Sequence, residues 1–75
     1  MWRDMDRAIR EQHLAQAEAH VVQGERTIAR QQEIVARLAR DGHDTKSSRE
    51  LLVQFLELQA MHVADRDRLR QELGR

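Results

Sequence analysis

The chain has 75 residues, no cysteine and no proline, and thirteen basic and thirteen acidic residues that give a formal net charge of zero. This length suits a single domain over residues 1–75, and without cysteine the domain holds neither a disulfide nor a thiolate metal site. No apolar run approaches the ~20 residues that span a bilayer, and the N-terminus lacks the apolar core of a secretory signal, so we expect a cytoplasmic protein without membrane contact.

The first predicted helix covers about residues 3–41. Branched apolar side chains recur there every seven residues, at Leu14, Val21, Ile28 and Val35. This repeat places the four side chains along one edge of the helix, where a partner helix is needed to cover them. Gly24 lies on the same edge and costs about 1 kcal/mol relative to alanine in a helix, so we expect another group to approach it closely.

The turn is predicted at residues 41–45, where the apolar repeat stops. Gly42 fits the left-handed position just beyond the end of a helix. Asp44, Thr45 and Ser47 are all candidates to cap the second helix, and Ser47 with Glu50 has the spacing of a capping box.

The second predicted helix covers about residues 45–73 and has its own apolar stripe at three- and four-residue steps. A short connection makes the two helices antiparallel neighbours. With the turn centred near residue 43, Gly24 lies opposite His62, and we expect it to form a recess for that ring. The predicted fold is therefore all-α, a two-helix antiparallel hairpin with coiled-coil-like packing.

Helix 1 is longer than helix 2, and its first residues carry a further apolar face made of Trp2, Met5 and Ile9. An apolar face without an intramolecular partner favours an intermolecular one. We expect a homodimer of hairpins that forms a four-helix bundle. The predicted contacts to the second copy, or to another protein, are Trp2, Met5, Ile9, Leu14, Val21, Ile28 and Val35.

Four polar side chains fall on or beside the predicted seam: His20, Gln31, Gln59 and His62. Buried polar residues of this kind can fix the register and the oligomeric state of a helical bundle. The alternative hypothesis is that this layer is a pH switch. If His62 is buried in its neutral form, protonation below about pH 6.5 loosens the packing.

The histidines do not have the spacing of a metal-binding helix, since no His-x3-His or Glu-x-x-His pair occurs. We therefore predict no metal and no cofactor. The alternative is an ion held by His62 and Asp65 with His20 or Glu25 from the other helix.

No glycine-rich phosphate loop, serine nucleophile elbow or pair of catalytic carboxylates can be assembled from the sequence, so we predict no catalytic residue and no enzyme. The predicted function is a small protein–protein interaction or oligomerisation module, an adaptor or regulator. The alternative is a weak nucleic-acid-binding protein. It would use one face of helix 1, formed by Arg26, Arg30, Arg37 and Arg40. Acidic residues interleave with these arginines and no aromatic residue is available for stacking, which disfavours nucleic acid as a partner.

One set of residues spread over most of the chain forms a recognisable pattern: His20-Val21, Gly24-Glu25, Ile28, Gln31, Ile34-Val35, Leu38, Gly42-His43-Asp44-Thr45, Leu51-Leu52, Phe55, Gln59, His62 and Arg66-Asp67-Arg68-Leu69. In this pattern the chain resembles small proteins of unknown function that are common in alphaproteobacterial genomes. The resemblance implies a short helical-hairpin protein of the cytoplasm and assigns no activity.

Overall fold

The computed structural model describes residues 2–75, with side chains from Asp4 onward, as two helices that pack against each other. Helix α1 spans Trp2–Arg40 and helix α2 spans Lys46–Glu72. The prediction of an all-helical, two-helix hairpin is confirmed. The observed bounds differ from the predicted 3–41 and 45–73 by one residue at each end. Neither described helix is long and apolar enough to cross a membrane.

The hairpin is a rod of 62 × 16 × 14 Å with a radius of gyration of 17.2 Å. A compact domain of this length has a radius of gyration of about 11 Å. The difference arises because each helix packs against one neighbour only, so the interior is a single seam instead of a core enclosed on all sides.

The seam is made of the heptad positions of α1 and the matching stripe of α2. Its buried apolar residues are Leu14, Ala17, Val21, Val35, Leu69 and Leu73. Of the four predicted seven-residue positions, Ile28 alone is only half-buried. Leu14, Ala17, Leu69 and Leu73 form one buried cluster, so the tightest apolar packing lies far from the turn.

The turn begins with a Schellman motif at the end of α1. Gly42 has a φ of +76°, so the predicted left-handed position is confirmed. The His43 N–H donates to the carbonyl of Leu38 at 2.9 Å and the Gly42 N–H donates to the carbonyl of Ala39 at 3.2 Å. These two bonds satisfy carbonyl groups that the end of a helix otherwise leaves without a partner.

Helix α2 begins without the predicted Ser47–Glu50 capping box. Thr45 is the N-cap residue, and its side chain makes no capping hydrogen bond. The Asp44 carboxylate accepts a hydrogen bond from the Lys46 N–H at 3.0 Å instead. Because Asp44 supplies an acceptor at the first turn, α2 begins before Ser47, which then lies inside the helix.

Candidate interaction surface

The register of the hairpin is set where Gln59 of α2 lies against Gly24 of α1. A Cβ atom at position 24 would overlap the Gln59 side-chain amide. The same amide donates from Nε2 to the Val21 carbonyl at 2.9 Å. The predicted partner of Gly24, His62, is therefore wrong by three residues, almost one turn of α2. In the observed register the Gln59 side chain both fills the recess at Gly24 and reaches the backbone of α1. An imidazole at the same site has a shorter reach.

A second glutamine crosses the seam in the opposite direction. Gln31 of α1 is 6% exposed, and its Nε2 donates to the Ser48 carbonyl of α2 at 2.9 Å. Each helix thus sends one amide to the backbone of the other. The Gln59 Oε1 atom is buried without a hydrogen-bond partner among the described residues. Such an oxygen costs about 1–3 kcal/mol, which limits the net gain from this amide.

The two histidines of the predicted polar layer lie at the side of the seam. The ring centroids of His20 and His62 are 5.0 Å apart, with their planes inclined by 42°. His62 is half-buried and His20 is exposed. The predicted layer therefore divides into two glutamines that span the seam and two histidines that flank it.

The histidines open onto a groove between the helices, which we call the histidine groove. It has a volume of about 250 Å³. Its lining residues are His20, Gln23, Gly24, Thr27, Phe55, Leu58, Gln59 and His62. Phe55 is half-buried, and Leu58 is 49% exposed at the groove's edge. An apolar lining of this kind is left in contact with water in the single hairpin.

The histidine groove continues along the same side of the hairpin in both directions. Towards the far end, His20 also borders a cavity of about 450 Å³ that reaches Ile9 and His13. Towards the turn, Phe55 also borders a cavity of about 430 Å³ that reaches Arg30. One whole side of the rod is therefore a shallow trough.

The opposite side of the hairpin is bridged by charges, and we call it the ion-paired side. Arg70 of α2 pairs with Glu18 of α1 at 3.2 Å. Arg75 pairs with Glu11 at 2.5 Å. Since Glu18 and His20 are two residues apart on a helix, they project to opposite flanks. The two sides of the rod thus differ in chemistry, one bridged by ion pairs and the other open.

The predicted partner contacts occupy three kinds of place. Leu14, Val21 and Val35 are covered by α2 of the same chain, and Ile28 is half-buried. These four residues, which recur every seven positions, therefore pack mainly within the hairpin. Met5 and Ile9 are 64% and 45% exposed. The side chain of Trp2 lies outside the described residues.

Sequence reasoning missed Phe55 and Leu58 as contact candidates. Both belong to the apolar stripe of α2, and their outward position follows from the register. Exposed apolar residues on this helix also include Leu51, Val53, Leu56 and Met61. The signal available in the sequence was an apolar stripe on α2 wider than a single neighbouring helix can cover.

The alternative metal site of the sequence analysis is not assembled within one chain. Across residues 4–75, no group of three or more histidine, aspartate or glutamate side chains converges on a point. The Asp65 carboxylate instead pairs with Arg68 one turn later, and this hydrogen-bonded pair raises the pKa of the Arg68 guanidinium.

Comparison of the chain with known protein families, curated proteins and solved structures yields no match. The alphaproteobacterial resemblance therefore stays a prediction.

Proposed function

We propose that the protein is a small non-catalytic interaction module whose hairpin self-associates through the histidine groove into a four-helix bundle. The observation that carries the proposal is the difference between the two sides of the rod. Glu18–Arg70 closes one side with charge, whereas the other side presents Phe55 and Leu58 to solvent. An apolar groove along one side of an elongated hairpin is typical of a bundle half.

The exposed area supports a second copy as the occupant. The hairpin has an accessible surface of 6049 Å². A compact monomer of 8.8 kDa exposes about 4,800 Å². The excess of about 1,200 Å² exceeds the ~800 Å² that each partner contributes to a standard interface. The surface that the elongated shape leaves exposed is therefore large enough for an interface of standard size.

The charge of the chain also suits association with itself. Thirteen basic and thirteen acidic residues leave no net charge to repel a second copy. A strongly basic or acidic partner would gain no long-range attraction from the net charge of the chain. In the assembled bundle, the exposed Met5 and Ile9 remain candidates for contact with the client protein of an adaptor or regulator.

The test is sedimentation equilibrium of the full chain over a range of concentrations. Leu58→Glu places a charge in the groove. Leu56→Glu is the matched control on the ion-paired side, because Leu56 lies almost four helical turns before Arg70 and so on the same face. The two leucines are 49% and 46% exposed. We expect a dimer of twice 8.8 kDa for the wild type and for Leu56→Glu, and a monomer for Leu58→Glu. A monomeric wild type, or equal behaviour of the two variants, contradicts the proposal.

One observation favours the nucleic-acid alternative. Within residues 4–75, three of the four arginines of α2 make ion pairs: Arg66 with Asp67, Arg68 with Asp65 and Arg70 with Glu18. The four arginines of α1 beyond the groove, Arg26, Arg30, Arg37 and Arg40, make no ion pair with a described carboxylate. Retention of DNA or RNA at low salt that disappears in an Arg30→Glu, Arg37→Glu variant would support this second function, because contacts to phosphate are strongly salt-dependent.

A further inference from the structure

We propose that His20 and His62 form half of a transition-metal site, for an ion of the Zn²⁺ class, which the second copy completes across the histidine groove. The inference rests on the self-association proposed above and adds a ligand to that interface. It starts from the placement of the rings, which come from different helices and have centroids 5.0 Å apart.

The separation of the rings fits two imidazoles bound to one tetrahedral ion. A zinc–nitrogen bond is about 2.0–2.1 Å long, and the ring centre lies roughly 1.1 Å beyond the nitrogen. At a tetrahedral angle, two such rings have centroids about 5.2 Å apart. The observed 5.0 Å between the centroids of His20 and His62 is close to this value.

The adjoining contact between Gly24 and Gln59 places the backbones of His20 and His62 beside each other. His20 precedes Gly24 by about one turn and His62 follows Gln59 by about one turn. The hydrogen bond from Gln59 to the Val21 carbonyl fixes the register at this point. Ligands placed on rigid elements in this way lose little freedom when an ion binds.

Neither imidazole makes a hydrogen bond to any described protein group. Both rings border the groove, and His20 is exposed, so an ion can reach them from solvent. Phe55 and Leu58 border the same groove and offer no competing polar group. The nitrogen atoms are therefore available as ligands in a surrounding that is partly apolar.

Two imidazoles alone make an incomplete site, because structural zinc sites have four protein ligands. Residues 4–75 of one chain supply no third ligand, and Asp65 is engaged by Arg68. The middle residue of α1, which spans Trp2–Arg40, is Val21, next to His20. A two-fold axis that gives the greatest overlap of two hairpins therefore passes near the histidine pair. That symmetry brings four imidazoles together.

The ligand chemistry selects the class of ion. Neutral imidazole suits zinc, copper, nickel and iron, whereas calcium and magnesium require oxygen ligands. No carboxylate borders the histidine groove among its described lining residues. Zinc, with its preference for four tetrahedral ligands, fits a site made of two histidine pairs.

The test is zinc titration by calorimetry, with sedimentation equilibrium in zinc and in a chelator, on the untagged full chain near pH 7.5. We expect one ion per two chains and a dimer dissociation constant at least tenfold lower in zinc. His20→Ala and His62→Ala each remove both effects. His13→Ala and His43→Ala are the matched controls and retain them. Cobalt in place of zinc gives the intense visible absorption of a tetrahedral ion in the wild type and not in His62→Ala.

The outcomes separate this inference from the proposed function. A dimer in chelator that zinc does not strengthen overturns the metal site and leaves the module intact. A monomer in chelator that zinc converts to a dimer, dependent on His62, supports the site and overturns metal-free association. Zinc binding that survives His62→Ala, or a stoichiometry of one ion per chain without dimerisation, overturns the shared site.

Discussion

The side-chain amide of Gln59 occupies the space that a side chain at position 24 would fill, and from there it donates to the Val21 carbonyl. This relationship explains why a glycine stands in the middle of a 39-residue helix. Glycine costs about 1 kcal/mol there relative to alanine. The cross-helix hydrogen bond, worth about 1 kcal/mol, opposes that cost, although the buried Gln59 Oε1 limits the net gain. The contact also defines one register.

Gly24→Ala is expected to leave the free energy of unfolding nearly unchanged in the wild type. The gain in helix propensity is about 1 kcal/mol. The displaced Gln59 amide loses a hydrogen bond of similar size. In a Gln59→Ala background nothing remains to be displaced, so the same substitution should stabilise by about 1 kcal/mol. Urea unfolding followed by circular dichroism measures both values.

The control for this double-mutant cycle is Ala29→Gly, an exposed site on the same helix. It should destabilise by about 1 kcal/mol whether or not Gln59 is present. Equal effects of Gly24→Ala in the two backgrounds would show that positions 24 and 59 are not coupled.

Gln31→Ala is expected to destabilise the hairpin by about 1–2 kcal/mol, because it removes a buried side chain and its bond to the Ser48 carbonyl. Gln31→Leu should be less harmful, since it restores apolar volume to the seam. The exposed neighbour Gln32→Ala should change stability by less than about 0.5 kcal/mol. Thermal unfolding at fixed concentration compares the three variants, and equal losses for Gln31→Ala and Gln32→Ala would refute the role of Gln31.

Leu69→Ala is expected to cost about 2–4 kcal/mol, because Leu69 belongs to the buried cluster with Leu14 and Ala17. The comparison is Leu56→Ala, at a leucine 46% exposed on the ion-paired side, which should cost under about 1 kcal/mol. Chemical denaturation gives both values when the protein concentration is kept below the range in which a dimer forms. Similar losses at the two sites would mean that the apolar cluster is not where the hairpin derives its stability.

Gly42→Ala is expected to destabilise by about 1–2 kcal/mol, because the residue has a φ of +76°, where an L side chain is strained. No atom lies within 4 Å of a Cβ placed there, so the cost is purely conformational. Gly42→Asn should cost less, since asparagine adopts this conformation more readily. Unfolding free energies that place asparagine below alanine would contradict this account.

The sequence by itself determined the two helices, the turn and the positions that form the seam. The seven-residue row from Leu14 to Val35 and the left-handed Gly42 are local features, and each depends on residues close in the chain. The site was predicted less well. His20, Gln31, Gln59 and His62 were identified as a group, but their partners were not.

Only the tertiary structure decided the register, the open side of the rod and the pairing of His20 with His62. The physical reason is that sliding α2 by about one turn preserves an apolar stripe against an apolar stripe, so several registers bury similar surface. The choice among them falls to a few specific contacts across the seam. The amide of Gln59 beside Gly24 is the contact that brings the two histidines to one edge of the hairpin.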